Sequence, residues 1–516
     1  MRWKILNKDK NIIKILLENR GIKDVKNFLD PPWPQFSLAA DKAIKRIKKA
    51  IKDREPIVIY GDYDVDGICA TAIMWETLHA MGAQVMPFLP QREKEGYGLS
   101  KEGIDQIEAK LIIVVDSGIV AHEAVMYAKQ KGMEVIIIDH HEKPKKLPKA
   151  LAIIHTDKLC AAGIAYFLGK QLQDRGDTLE LAAIATVADM VPLTGVNRSI
   201  VKHGLKSLSE TQRPGLRALY EVAGIKKIGT YEIGYMIGPR INAAGRIDSA
   251  LIGLRLLCTK DITKAREWAK QLDDINKERQ KMAEESTQHA FQNAKITEKI
   301  IVIEHEAYHS GIIGLIAGKL TEKYYLPSIV ISKGEKMSKA SARSISGFNI
   351  IEAIKTHDKL LVNAGGHPAA AGFTIKTSEI SNFKLLITKY ANEKITDDML
   401  EKTLKIDCEL DLKDINMDFY NSLAQFAPYG MGSPEPVFAS GAIIQDLRTV
   451  GDGKHLKLVI ASKAKQSSFD AIAFNLGHMA GQLKVGQKIK LAYALDLNTF
   501  NGKTNLQLKV KDIIKQ

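Results

Sequence analysis

Five short apolar runs recur through residues 57–154: "IVIY" (57–60), "QVMPFL" (84–89), "LIIVV" (111–115), "EVIII" (134–138) and "LAII" (151–154). Runs this short and this apolar lack the alternation of a sheet with one wet face, so both faces must be covered. Helix-like stretches separate them, as crossovers between parallel strands do. From about Pro56 to Ile154 the pattern therefore predicts an α/β domain built on an open parallel sheet. Helices are expected over Ile68–Met81, Lys101–Lys110 (with Ser100 as N-cap) and Ala121–Lys131. Thr178–Lys206 is expected to be helical and to finish this domain.

Residues 254–310 contain neither glycine nor proline. Within them "ITKAREWAKQLDDINKERQKMAEESTQHAFQNA" suits one long polar helix, either a connector between domains or an ordinary surface helix. A second α/β segment follows in "IIVIEH", "SIVISK", "KASARSISGF" and "AGGHPAAAGFTI". From about Thr403 the runs "KLVIAS", "DAIAFNL", "QKIKLAYAL" and "LQLKVKDI" fit a small OB-type barrel. The stretch "SKAKQSS" (462–468) resembles a flexible polar loop.

Charge narrows the partner. The 74 Lys and Arg exceed the 60 Asp and Glu, and the pI is near 9.2. The last 66 residues hold eleven lysines against four aspartates, and the first 54 carry "KAIKRIKKAIKDR". Such an excess suggests a polyanion, either nucleic acid or a membrane surface. The four cysteines (Cys69, Cys160, Cys258, Cys408) are far apart, which argues against a zinc site or a disulfide framework. "MRWKILNKDKN" lacks a signal peptide's apolar core, and no run approaches a membrane span, so a cytoplasmic protein is expected.

The chemistry concentrates after the strands. "GDYDVDG" sets Asp62, Asp64 and Asp66 within five residues. An EF-hand loop would need an oxygen ligand at its twelfth position, and counting from Asp62 that residue is Ile73. A capping cluster or a cation site at a strand's C-terminal end remains. "LIIVVDSG" adds Asp116, "EVIIIDHH" adds Asp139, His140 and His141, and "IATVADMVPLTG" adds Asp189 at the end of a helical stretch. Several acids and imidazoles leaving one edge of one sheet favour the cation site. Carboxylate and imidazole donors without thiols favour Mn²⁺ or Mg²⁺. Two such ions suit phosphate-ester hydrolysis, where they deprotonate the attacking water and offset phosphoryl charge.

The set GDYDVDG, VVDSG, IIDHH and VADMVPL resembles the DHH phosphoesterase superfamily. REKEGYGL, GPRINAAGRIDSA, YHSGIIGLIAGKL, KASARSISGFNI, AGGHPAAAGF and PYGMGSPEPVF are similar to segments of the RecJ family, single-strand-specific 5′→3′ exodeoxyribonucleases. Joined to the patterns above, the resemblance implies five parts. They are a basic helical segment (1–55), a parallel-sheet DHH domain (56–255), a long connecting helix (256–298), a second α/β, DHH-associated domain (299–400) and a C-terminal OB-like β-barrel (401–516). It implies two divalent cations, Mn²⁺ or Mg²⁺, among Asp62, Asp64, Asp66, Asp116, His140 and Asp189. His141 is then expected at the scissile phosphate beside His140, with Asp139 orienting the imidazoles. Arg92, Arg246, Ser341, Arg343, Ser344, Gly365, Gly366 and His367 are the implied substrate contacts. Arg240 stays open between phosphate contact and salt bridge. Single-stranded DNA is the implied partner, with a single-strand-binding protein and a helicase as further ones. A monomer acting in DNA repair and recombination, with no membrane partner, completes the expectation.

The chain also departs from that family. His155-Thr156 stands where Asn-Pro is usual, and His155 is expected to fill space rather than add a metal contact. "YHSG" replaces Trp-His-Pro-Gly, which alters the packing expected around His309, and Val65 replaces a common Ala. Two rival readings are a DHH hydrolase of short oligonucleotides, cyclic dinucleotides or pyrophosphate, and a non-catalytic DNA-binding scaffold. The first needs neither the barrel nor so much basic charge. The second would have lost metal ligands, and all six candidates are present.

Overall fold

A computed structural model describes residues 1–7, 9, 11–91, 95–96, 98–173, 176–247, 250–462, 468–500 and 502–516. The five apolar runs form one parallel sheet in the order Val85–Phe88, Ile57–Tyr60, Leu111–Val115, Glu134–Asp139, Ala152–His155. Ile57, Ile59, Ile113 and Ile136 pack into one core, and Val58, Tyr60, Ile112 and Ile137 into the other. That division is the period-two consequence of covering both faces. From Ile57–Tyr60 the chain goes first to one neighbour, then crosses to Leu111–Val115 on the other side. Such a reversal leaves a crevice beyond the C-terminal ends of the two strands, where open α/β sheets bind ligands. Asp62 and Asp116 follow those two strands.

The helices differ from expectation in instructive places. Ser100 does cap a helix, accepting from Gly103 N (3.1 Å), but it spans only Lys101–Ile104. Lys110 already donates its backbone N–H to Pro56 O (2.9 Å), so the residues between lead into the next strand. Thr178–Lys206 is broken into Leu179–Ala188 and Gly195–Ser209. Met190 takes a φ of 58° and Pro192 has no N–H to continue the first helix. The domain does not finish there, since its core continues through Leu256 to Leu272.

The long helix spans Ile262–Asn293, 32 residues, and Asp261 caps it through Thr263 N (2.8 Å) and Lys264 N (3.2 Å). At 1.5 Å per residue it is about 48 Å long. Ala265, Ala269 and Leu272 enter the first core, and Ala290 enters that of the second α/β unit. It is a connector that packs at both ends. The second unit is a mixed sheet ordered Leu361–His367, Ala370–Lys376, Met337–Arg343, Ser328–Ser332, Ile301–His305, with only the last pair parallel.

Strands Phe438–Val450, His455–Ala461, Ser468–Ala473, Lys503–Lys515 and Lys488–Phe500 pair in turn, and the first also pairs with the last. The result is a closed five-stranded barrel of OB type. Of the loop at 462–468, residues 463–467 lie outside the described residues.

The N-terminal stretch divides between two cores. Arg2–Ile5 pairs with Thr403–Ile406, and Ile15, Leu16, Leu17 and Phe28 join the barrel core. Ala43, Ile47 and Ala50 of the helix Asp41–Lys52 join the parallel-sheet core. Arg198, from Gly195–Ser209, sits where these parts meet and is 1% exposed. Its guanidinium donates to the carbonyls of Phe28 (2.5 Å), Gln425 (3.3 Å), Phe426 (2.9 Å), Ala427 (2.9 Å) and Pro428 (3.1 Å). It also lies 3.8 Å from the centre of the Phe28 ring. Among the described residues no helix is long and apolar enough to cross a membrane.

Candidate active site

Gly61 and Gly67 let the first aspartate loop fold tightly. A Cβ at Gly61 would fall 2.0 Å from Thr71 Oγ1, and one at Gly67 2.6 Å from Asp62 O. Asp64 caps the helix Val65–Ala80 through Gly67 N (3.0 Å), and Asp66 lies in its first turn. Asp66 is 2% exposed, and both its oxygens accept backbone N–H groups, from Ala161 (2.7 Å) and Ala162 (2.8 Å). Asp116 follows its strand in the left-handed region, φ 61°, which a non-glycine residue adopts only when its surroundings impose it.

Asp139 ends the next strand fully buried. It accepts from His140 N (2.7 Å), His141 N (3.0 Å), His141 Nδ1 (2.8 Å) and Ile119 N (2.9 Å). His140 Nε2 then lies 3.2 Å from Asp116, 3.6 Å from Asp66 and 3.7 Å from Asp189. Asp189 reaches them because the helix Leu179–Ala188 ends there. Three sets place their donor atoms within 4.8 Å of one another: Asp62, Asp64 and Asp116; Asp66, His140 and Asp189; Asp116, His140 and His141. The strand-end acids and imidazoles singled out from the sequence thus converge on one spot.

Burial and mutual repulsion set their protonation. Burial, then the Asp64 charge, lifts Asp66 to about 6. Burial and the charges of Asp66 and Asp64 lift Asp189 to about 8 and push Asp116 well above the carboxylate range. His140 falls to about 4 through burial and the neighbouring His141 charge, which leaves a neutral imidazole fit to be a ligand. His141 is raised: burial opposes its charge, but the hydrogen bond and charge of Asp139 prevail. Against burial, the same pair holds Asp139 below the usual range. Oxygen and imidazole donors crowded against their own repulsion, with no thiol in the three sets, fit hard divalent cations.

This predicts an unusual pH dependence for the metal-free protein. The raised carboxyls keep, when folded, protons that the unfolded chain releases near pH 4. Their stabilisation is complete below that pH and is lost as pH rises through about 6 and about 8. His140 acts in the opposite sense, but only up to its unfolded value of 6.5. The melting temperature in a chelator should therefore fall between about pH 6.5 and 8, and Mn²⁺ or Mg²⁺ should restore it. A flat profile, or one that ignores the cations, would contradict the assignment.

A cleft of about 880 Å³ opens beside the cluster, between the two α/β units. Tyr63 and Val120 line it on one side, Gly311, Ser341, Arg343, Gly365 and Gly366 on the other. Gly366 has a φ of 140°, and a Cβ there would fall 2.4 Å from Ala370 O, so only glycine fits this hairpin. Arg343 donates to Ala342 O (2.8 Å) and Ser341 Oγ (3.3 Å) and has no carboxylate partner among the described residues. Ser344 is spent on a turn, bonding Phe348 O (2.7 Å), and neither it nor the exposed His367 lines the cleft. Arg240 is tied to Asp273 on the long helix (2.9 Å) and to Met236 O (2.8 Å), the salt-bridge alternative. Arg92 lies outside the described residues, as does the side chain of Arg246. Tyr308 is buried and shares a hydrogen bond with His289 Nδ1 of the long helix (2.8 Å), while His309 Nδ1 accepts from Gly311 N (3.1 Å).

Asn242 and the amides of Ala161 and Ala162 escaped the sequence reading. Asn242 Oδ1 accepts from Val65 N (3.0 Å) and braces the first aspartate loop from the helix Gly238–Ile247. Its position inside GPRINAAGR was the available signal. The Ala161 and Ala162 amides carry no side-chain signal at all. His155 Nε2 bonds His141 O (2.6 Å), a hydrogen bond rather than the space filling expected.

Comparison with known proteins agrees with this geometry. Residues 56–191 match the DHH family, N-terminal domain; 297–393 match the DHHA1 domain; 406–512 match the RecJ OB domain. The single-stranded-DNA-specific exonuclease RecJ of Bacillus subtilis is 33% identical over 99% of this chain and 70% of its own length. The Escherichia coli protein of the same name is 30% identical over 97% and 95%. The crystal structure of RecJ in complex with Mn²⁺ from Thermus thermophilus superposes with a TM-score of 0.88 at 29% identity, covering 100% of this chain and 80% of that one. A Mg²⁺ complex of the same protein gives 0.82. Three domain matches in chain order, with relatives of 30% identity or more matching over nearly all of this chain, place it in the RecJ family.

Proposed function

We propose that the chain is a single-strand-specific DNA exonuclease that digests from the 5′ end and releases 5′-mononucleotides. The observation that carries this reading is the convergence of five carboxylates and His140 beside a glycine- and arginine-lined cleft. The relatives named for that activity, and the Mn²⁺ and Mg²⁺ complexes of the Thermus protein, support it. Asp62, Asp64, Asp66, Asp116, His140 and Asp189 would hold two divalent cations. When bound, the cations supply Lewis acidity and a water acidic enough to attack phosphorus at neutral pH. Asp139 holds the His141 ring through Nδ1, and the ring would meet a phosphate oxygen. Ser341, Arg343 and the Gly365–Gly366 backbone would seat a phosphate at the strand's end. The barrel, with its lysine excess, would grip the strand further along through phosphate contacts and base stacking. In domain terms, 56–255 would carry the chemistry, 256–298 connect, 299–400 close the cleft and 401–516 bind DNA. A role in repair and recombination, alongside a single-strand-binding protein and a helicase, follows from the same reading.

Strands labelled at either end, with and without a 5′ phosphate, test this in Mn²⁺ and in Mg²⁺. Label should leave first from the 5′ end of single strands and not from duplex. Preferential release from the 3′ end would overturn the polarity.

A further inference from the structure

The connection from the strand Ala152–His155 to the helix Ala161–Leu172 touches three loops of the acidic cluster. At its start His155 is registered beside Asp139, and its Nε2 lies 2.6 Å from His141 O. A carbonyl only accepts, so His155 donates. In the middle, Asn197 Nδ2 donates to Lys158 O (2.8 Å) and to Pro192 O (3.2 Å), tying the connection to the loop after Asp189. At its end the Ala161 and Ala162 amides hold Asp66 (2.7 and 2.8 Å). One short strap thus fixes loops that carry His141, Asp189 and Asp66.

On the imidazole side Asp139 and His155 both contribute. Asp139 holds the amides of His140 and His141 and the His141 ring. On the carbonyl side of His141, His155 makes its bond. Beyond it, Glu142, Lys143, Lys145, Lys146 and Leu147 are exposed and offer the loop little support. His155 belongs to none of the three carboxylate and imidazole sets.

We propose that His155 is a positioning residue, a latch that holds the His140–His141 pair over the carboxylates by hydrogen bonding the His141 carbonyl. The proposal rests on reading the site as a metal-dependent nuclease. It assigns a task to the position where this chain departs from the family's usual Asn-Pro. A displacement of the imidazoles by a fraction of an ångström suffices to slow chemistry without changing what binds.

His155→Phe keeps the ring and loses the donor, whereas His155→Gln places an amide N–H at similar reach. In the full-length protein, His155→Phe should lower kcat about 10- to 100-fold with KM for single strands nearly unchanged. His155→Gln should recover most of that loss. Calorimetric titration should find the same number of Mn²⁺ ions in both variants and in the wild type. Wild-type kcat in His155→Phe would overturn the latch in favour of space filling, and a lost Mn²⁺ would make His155 a ligand. The ¹⁵N imidazole resonances of His141 separate this from the functional reading. They should shift in His155→Phe and return in His155→Gln whether or not the wild type cuts DNA. Unmoved resonances would overturn the latch; a wild type without metal-dependent nucleotide release would overturn the nuclease reading instead.

Discussion

Replacing Asp116 by asparagine should lower metal-dependent nucleotide release by about 10³-fold or more while raising the melting temperature of the metal-free protein. Both effects have one cause. Asp116 is 2% exposed and sits 3.2 Å from His140 Nε2, in two of the three sets able to hold an ion. Its folded carboxyl is pushed well above the usual range by burial and by Asp66, Asp64, Asp62 and Asp189. Without cations, burial and the neighbouring acids disfavour that charge, so the neutral amide should stabilise the fold. With cations it would be a ligand, and its loss would remove charge where the reaction develops it. Turnover by a discontinuous nucleotide-release assay and melting in a chelator check the two halves. A variant that is both inactive and less stable when metal-free would point to a structural role only.

The second large effect belongs to Arg198. Replacing it by alanine should cost about 3–5 kcal/mol of folding stability, although it touches no substrate group. Five carbonyls from two parts of the chain, Phe28 and Gln425 to Pro428, converge on its guanidinium. Among the described residues no carboxylate pairs with it, and burial lowers its pKa to about 10. The site therefore relies on donor geometry. Truncation leaves those carbonyls without a donor at the junction of the N-terminal stretch, the barrel and the catalytic domain. Arg198→Lys should recover less than half of the loss, since an ammonium offers three donors without the planar fork. Urea unfolding of both variants checks this. Full recovery by lysine would mean that charge alone matters.

Much of this was legible in the sequence, for physical reasons that differ by element. The parallel sheet announced itself because strands buried on both faces must be apolar throughout, as "LIIVV" and "EVIII" are. The strand-end acids were legible because a sheet's topology, once granted, fixes which loops meet. The helix end at Asp189 was legible, but the long helical reading of Thr178–Lys206 hid the separate start at Gly195, because the residues beyond Pro192 favour helix again. The barrel's first strand, "FASGAIIQDLRTV", was missed because Gly441 and a bulge near Gln445 interrupt its alternation. Backbone contributors such as the Ala161 amide have no residue type to betray them. Arg198 looked like any surface arginine, since its partners lie about 170 and 230 residues away.

In the proposed reaction the acidic cluster holds two cations that hydrolysis needs. Calorimetric titration of Mn²⁺ into the metal-free, full-length protein, with nuclease activity followed over the same range, tests this most directly. Two ions per chain are predicted, with activity rising as the second site fills and both lost in Asp116→Asn. One ion or none at saturation, or full nuclease activity in a chelator, would contradict it.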